Sequence, residues 1–174
     1  MTKNTLNIPA WVDGVLQPVE KLAAHKNGLR HKAVSVFVMD GDRLLLQRRA
    51  LSKYHTPGLW ANTCCTHPHW DEAPEDCAHR RLNEELGITD LSLTYQGQIE
   101  YRADVGNGLI EHEVVEVFRA NTTAELGIQP NPDEVMDTRW CTLAELEAEI
   151  STNGDAFVPW LRIYLYSHKD QIFA

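Results

Sequence analysis

Residues 80–88 read Arg80-Arg81-Leu82-Asn83-Glu84-Glu85-Leu86-Gly87-Ile88, with Cys65 and His67 a short way before them. Pro74 opens a helix here, and Cys77, Ala78, Leu82 and Leu86 recur along it at helical spacing. Gly87 closes it, because a left-handed C-terminal residue is easiest for glycine. On such a helix Arg80, Glu84 and Gly87 share a face, while Glu85 lies about 100° round from Glu84. Glu84 is therefore placed to pair with Arg80 or Arg81, and Glu85 points elsewhere. Two readings stay open: both glutamates face solvent, or Glu85 faces a cation. A thiol, an imidazole and two adjacent carboxylates within one strand and one helix suggest a metal site beside a titrating group.

Outward from this helix the chain reads as strands broken by turns. Ala33 to Met39 is a buried strand, and Asp40-Gly41-Asp42 is a hairpin turn into Arg43 to Gln47. Pro57-Gly58 marks a loop before Leu59-Trp60. Further strands are expected at Leu91 to Arg102, Glu111 to Arg119 and Val135 to Cys141. Thr142 with Glu145 three residues on forms a capping-box pattern for a helix to Ile150, and a last helix starts near Pro159 and runs toward Lys169. Strands interrupted by a few helices, without regular βαβ alternation, predict an α/β (α+β) mixed sheet flanked by helices.

The 174 residues suit one domain, 1–174, and the composition (43% hydrophobic, 24% charged) is that of a soluble globular protein. A formal charge of -9 argues against nucleic acid and against an anionic membrane surface. No run of apolar residues is long enough for a membrane span, and Thr2, Lys3 and Asn4 open the chain without a signal-peptide core. Cys64, Cys65, Cys77 and Cys141 are then expected as free thiols in a reducing cytoplasm. Arg48, Arg49 and Lys53 form a local basic cluster at a strand exit, either a solvated strand end or a site for a small phosphorylated ligand.

The second constellation is Glu111-His112-Glu113. Strand alternation puts Glu111 and Glu113 on one face and His112 on the other. Two carboxylates on one face repel each other or share a cation. His25, His31 and His67 could complete a nitrogen-and-oxygen shell, although His25 and His31, taken singly, read more often as surface histidines.

The helix resembles the signature of the Nudix superfamily: Gly, five residues, Glu, seven residues, then Arg-Glu-apolar-any-Glu-Glu-any-Gly-apolar. Glu72, Arg80, Leu82, Glu84, Glu85, Gly87 and Ile88 match; Thr66 stands at the glycine, and Arg81 at the first Glu of the central run. Family hydrolases hold their magnesium on these carboxylates, so the Arg81 departure weighs against hydrolysis. The flanking stretches resemble the type I isopentenyl-diphosphate isomerase family. They are Arg48-Arg49-Ala50-Leu51-Ser52-Lys53, Trp60-Ala61-Asn62-Thr63-Cys64-Cys65-Thr66-His67-Pro68, Tyr101-Arg102-Ala103, Glu111-His112-Glu113, Asp133-Glu134-Val135 and Pro159-Trp160. One departure is His112, where that family has Asn.

This resemblance implies a Nudix-type mixed sheet sandwiched between helices. Residues 1–30 would be an N-terminal extension contributing ligands, and 160–174 a C-terminal helix and tail. It implies interconversion of isopentenyl and dimethylallyl diphosphate, a proton being added at one carbon and another removed two carbons away. Carried over, Cys65 and Glu113 exchange protons with the substrate from opposite sides, and Tyr101 supports the acidic group. Trp160 offers its face to the carbocation, worth about 2 kcal/mol when desolvated. The implied metal ligands are His25, His31, His67, Glu111 and Glu113, a His3Glu2 set for Mn2+ or Mg2+, with Zn2+ the third candidate. A further Mg2+ bound to the substrate diphosphate would meet Glu85, near the Cys65 carbonyl. Lys21, Arg49, Lys53 and Arg81 would grip the diphosphate, and Arg81 equally fits a structural ion pair with a glutamate. The partner expected is this small diphosphate, the protein acting as a monomer or weak dimer. The alternatives are a Nudix hydrolase of a nucleoside diphosphate derivative and a non-catalytic Nudix ligand-binding module.

Overall fold

β3 (Arg30–Asp40) and β8 (Ile110–Asn121) run in parallel along their whole length, from Arg30↔His112 to Met39↔Asn121. Both are Val-rich and nearly continuous in apolar character, as a pair covered on two faces requires. The computed structural model describes residues 6–174, so the reading of Thr2, Lys3 and Asn4 lies outside the described residues.

Around this pair the sheet is antiparallel. β7 (Thr94–Asp104) pairs with the outer edge of β8 through a bulge between Tyr95 and Gly97. The other edge of β3 meets three strands in turn: β1 (Asn7–Val12) at His31, β6 (Cys64–Thr66) at Val34 to Val36, and β4 (Arg43–Arg49) at Met39 and Asp40. β4 continues to β9 (Val135–Thr142) and to the short β5 (Trp60–Ala61).

Alternation along β3 divides the interior. Val34, Val36 and Val38 join Leu82 and Leu86 of helix α2 (Pro74–Leu86) in one core. Ala33, Phe37 and Met39 face the other core, under α3 (Leu143–Asn153) and α4 (Pro159–Ser167), where Leu146, Leu161 and Tyr164 are buried. The expected mixed sheet between helices is therefore the observed architecture. α2 starts with Pro74 at its first turn and ends on Gly87 at φ 64°. α3 carries the reciprocal Thr142–Glu145 capping box.

Three features differ from expectation. The N-terminal residues are part of the sheet: β1 and β2 (Val15–Glu20) make a hairpin over Asp13-Gly14, both at positive φ, and α1 (Lys21–Lys26) follows. β7 begins at Thr94, because Leu91 and Leu93 pack against the α2 core as irregular backbone. The last helix breaks at His168 (φ -134°), and a short α5 (Lys169–Phe173) folds back so that Ile172 is fully buried. No helix among the described residues is long and apolar enough to cross a membrane.

Candidate active site

At the start of the β3–β8 pair, the face that elsewhere carries Phe37 and Val115 turns polar. His31 sits opposite Glu113 in register, and Glu111 follows the same alternation. His112 faces the other way and pairs with Glu100 at 3.2 Å, as the strand period demands. α1 brings His25 over this patch, and the segment after β6 brings His67. One ligand atom from each of His25, His31, His67, Glu111 and Glu113 lies within 4.8 Å of all the others, and all five residues are buried.

The hydrogen bonds of these imidazoles fix their tautomers. Nδ1 of His25 donates to the Lys21 carbonyl (2.6 Å), Nδ1 of His31 to that of Leu29 (2.7 Å), and Nδ1 of His67 to that of Lys32 (3.2 Å). A carbonyl only accepts, so each neutral ring presents its Nε2 lone pair to the cluster. The His25 lone pair then faces Glu111 Oε1 at 3.2 Å, two acceptors in contact. His31 Nε2 and Glu111 Oε2 are buried and have no hydrogen-bond partner among the described residues. Orphaned lone pairs of nitrogen and carboxylate oxygen, converging in a buried space, suit a divalent cation. Charge balance points the same way. Burial pulls His31 down, but without a cation Glu111 and Glu113, with oxygens 3.6 Å away, overcome it and raise the imidazole to about 10, so that a proton on Nε2 would take the place a cation would fill. Burial and the neighbouring Glu111 push Glu113 up. Positive charge is what this pair lacks.

His67, Glu111 and Glu113 of the cluster line a narrow pocket of about 30 Å³ that opens to solvent at its mouth. Tyr101 of β7 donates its hydroxyl to Glu113 Oε2 at 2.7 Å. Cys65 of β6 also lines the pocket, as does Trp160 of α4, whose indole N–H donates to Cys65 Sγ at 3.1 Å. The thiol itself donates to Asn62 Oδ1 at 2.8 Å, and Ser35 Oγ stands 3.3 Å from the sulfur. Burial pushes the Cys65 thiol up to about 12 against the opposing hydrogen bonds of Ser35 and Trp160, so it is protonated at neutral pH. The Arg49 guanidinium lies 5.5 Å from the Trp160 ring centre.

The mouth is basic. Lys21, Arg49, Lys53 and Arg81 all line the pocket. Burial and the nearby Lys53 lower Lys21 to about 8, the mark of cations crowded together. Lys53 pairs with Glu134 at 2.5 Å. Arg81 reaches Glu84 at 2.7 Å, Glu85 at 2.5 Å and Glu134 at 3.4 Å. Glu85 does point away from Glu84, but into the protein, where buried Gln47 donates to its Oε2 at 2.8 Å. The solvent-facing reading therefore holds for Glu84 alone. The ion-pair reading of Arg81 and its position in the mouth are both realised.

A match to the NUDIX domain covers residues 29–161. Two relatives named isopentenyl-diphosphate Delta-isomerase, from Dinoroseobacter shibae and Rhodobacter capsulatus, are each 63% identical over 166 residues, 95% of this chain and 94% of theirs. The chain belongs to the isopentenyl-diphosphate isomerase branch of the Nudix family. Its Nudix fold is shared with DR0079 from Deinococcus radiodurans (TM-score 0.73, 18% identity, covering 91% of this chain and 96% of that one). A MutT NUDIX hydrolase from Burkholderia pseudomallei aligns with a TM-score of 0.62 at 23% identity, covering 80% and 98%.

Several residues around this Nudix site escaped the sequence reading. Asn62 orients the Cys65 thiol and is itself fixed by donating to the Val36 carbonyl at 3.1 Å. Ser35 links Cys65 to Tyr164, whose hydroxyl is 2.9 Å away. Gln47 holds Glu85, and His55 lies 3.0 Å from Glu111. A polar residue inside an apolar strand, as Ser35 and Gln47 are, was the available signal.

Proposed function

We propose that this protein interconverts isopentenyl diphosphate and dimethylallyl diphosphate by proton addition and removal. The observation that carries the reading is that two acids of different kinds, Cys65 and Glu113, line one buried pocket with a basic mouth. One gives a proton to an alkene carbon, and the other takes a proton from the carbon two positions away. The double bond moves and the atoms balance, and the reverse reaction exchanges the roles. An alkene is a very weak base, so the acid must be undiluted by water. Burial keeps the Cys65 thiol protonated and ready to donate, while a cation held beside Glu113 would leave that carboxylate ionised and ready to accept. Each also has a donor ready for its conjugate base: the Trp160 N–H for sulfur and the Tyr101 hydroxyl for the carboxylate. The aromatic ring of Trp160 serves the tertiary cation between the two proton transfers.

Lys21, Arg49, Lys53 and Arg81 bind the diphosphate, Arg81 adding positive charge where a Nudix hydrolase has a carboxylate. His25, His31, His67, Glu111 and Glu113 would hold Mn2+ or Mg2+, Zn2+ fitting five N/O donors less well. Glu85 would meet a Mg2+ carried by the diphosphate beside Cys65. When bound, these ions supply positive charge next to the acidic pair and the diphosphate oxygens. The protein works as one unit, 1–174, in the cytoplasm, as a monomer or weak dimer without nucleic acid or membrane as partner.

The test is incubation with isopentenyl diphosphate and Mg2+ in deuterated water. Allylic product carrying deuterium is the expected result. Inorganic phosphate without allylic product would instead make the chain a hydrolase.

A further inference from the structure

Four imidazoles crowd Glu111 and Glu113, and their hydrogen bonds divide them three to one. His25, His31 and His67 each spend Nδ1–H on a backbone carbonyl and turn Nε2 inward. His55, from the loop between β4 and β5, is built the other way. Its Nε2 lies 3.0 Å from Glu111 Oε1, and its Nδ1 lies 3.1 Å from the Thr56 hydroxyl. An ionised carboxylate only accepts, so Nε2 carries the proton and donates it. Nδ1 is then a lone pair, and the Thr56 hydroxyl donates to it. The direction of the chain is settled: Thr56 O–H to His55 Nδ1, then His55 Nε2–H to Glu111 Oε1.

Thr56 has φ 47°, the left-handed region that a β-branched residue seldom enters. At that φ its hydroxyl lies 3.1 Å from His55 Nδ1, and both residues are buried. The ring is further clamped, stacked on His25 (5.6 Å) and edge-on to Tyr54 (4.7 Å) and Trp160 (5.9 Å).

We propose that His55, tautomer-locked by Thr56, is a positioning residue that aims the Glu111 carboxylate at the cation held by the other three histidines. It acts through Glu111 and does not itself ligate. The proposal rests on the cation reading of the cluster under Proposed function.

The experiment measures Mn2+ affinity of the full chain by competition with a fluorescent chelator, with urea midpoints taken alongside. His55→Phe keeps the ring and loses the donor, so Mn2+ binding should weaken about 10- to 100-fold. Thr56→Val, which removes only the hydroxyl, should weaken it less. His55→Gln, whose amide can still donate to Glu111, should recover part of the loss. Pulsed electron paramagnetic resonance of the Mn2+-loaded protein should count three coordinated imidazoles in both wild type and His55→Phe. If His55→Phe does not fold, Thr56→Val and His55→Gln carry the same comparison. Unchanged affinity in these variants would overturn the positioning role, and a fourth imidazole in wild type would make His55 a ligand instead. A wild-type protein that binds no Mn2+ would remove the cation reading and this proposal together, an outcome distinct from both.

Discussion

Arg81→Met tests how the pocket mouth is held. The substitution keeps the stem and removes the charge that meets Glu85 at 2.5 Å. Glu85 is only 4% exposed, so its carboxylate would be left nearly dry with Gln47 as its remaining hydrogen-bond donor among the described residues. Breaking a fully buried pair costs about 3–5 kcal/mol. Arg81 is 17% exposed and Gln47 stays in place, which brings the expected loss to about 2–3 kcal/mol. For a chain of this size that is roughly 5–10 °C in melting temperature. Glu85→Gln alone should cost only about 1 kcal/mol, because Arg81 keeps Glu84 and Glu134. The double variant should then cost little more than Glu85→Gln, a coupling of about 2 kcal/mol. Urea denaturation of the four proteins in excess chelator measures the cycle with no divalent ion contributing. If the two single losses simply add, to within about 0.5 kcal/mol, Arg81 and Glu85 are not energetically paired and the argument is wrong.

Tyr101→Phe removes the 2.7 Å hydrogen bond to Glu113 and leaves the ring in its core. The expected loss in kcat is about 10- to 100-fold, with a fall of about 1–3 kcal/mol in stability from the lost buried hydrogen bond; wild-type turnover would exclude any role for the hydroxyl. Glu72 is held down to about 2 by its hydrogen bonds to Arg80. A depressed carboxylate stabilises the fold above its unfolded value near 4.5 and loses that contribution as pH falls through about 2. Glu72→Gln should therefore be less stable than wild type by about 1 kcal/mol at pH 6, after discounting for solvent, and the difference should shrink to nothing near pH 2. A gap that is the same at both pH values would refute it. Adding Mn2+ at about 100 times its dissociation constant should stabilise the chain by about 2.7 kcal/mol. Glu111→Gln should abolish that gain, and a gain that survives would place the ion elsewhere.

What could be read from the sequence was whatever the chain states locally. α2 was legible from both ends because Pro74 suits a first turn and Gly87 supplies a left-handed stop. The opposite facing of His112 and the Glu111–Glu113 pair followed from a two-residue period alone. The β1–β2 hairpin was announced by Asp13-Gly14, a two-residue turn signal between apolar pairs, and went unread. The convergence of the histidines on Glu111 and Glu113 was of a different kind. It depends on β3 pairing in parallel with β8, about 80 residues later, and no local pattern encodes that register. The resemblance supplied the ligand set, and the pairing explains it. His55 fell between these cases, since its position shows only once the loop from Arg49 to Trp60 has folded over the cluster.

The burial of Cys65 has a consequence outside the reaction. A thiol pushed up to about 12 by burial is far more rarely the thiolate at neutral pH than an ordinary cysteine. Peroxides and alkylating metabolites attack thiolates, so the residue is shielded from both by the environment that readies it to trade protons with carbon. A covalent inhibitor would gain little by relying on sulfur nucleophilicity at rest. It would have to generate its electrophile inside the pocket, using the proton that Cys65 or Glu113 delivers.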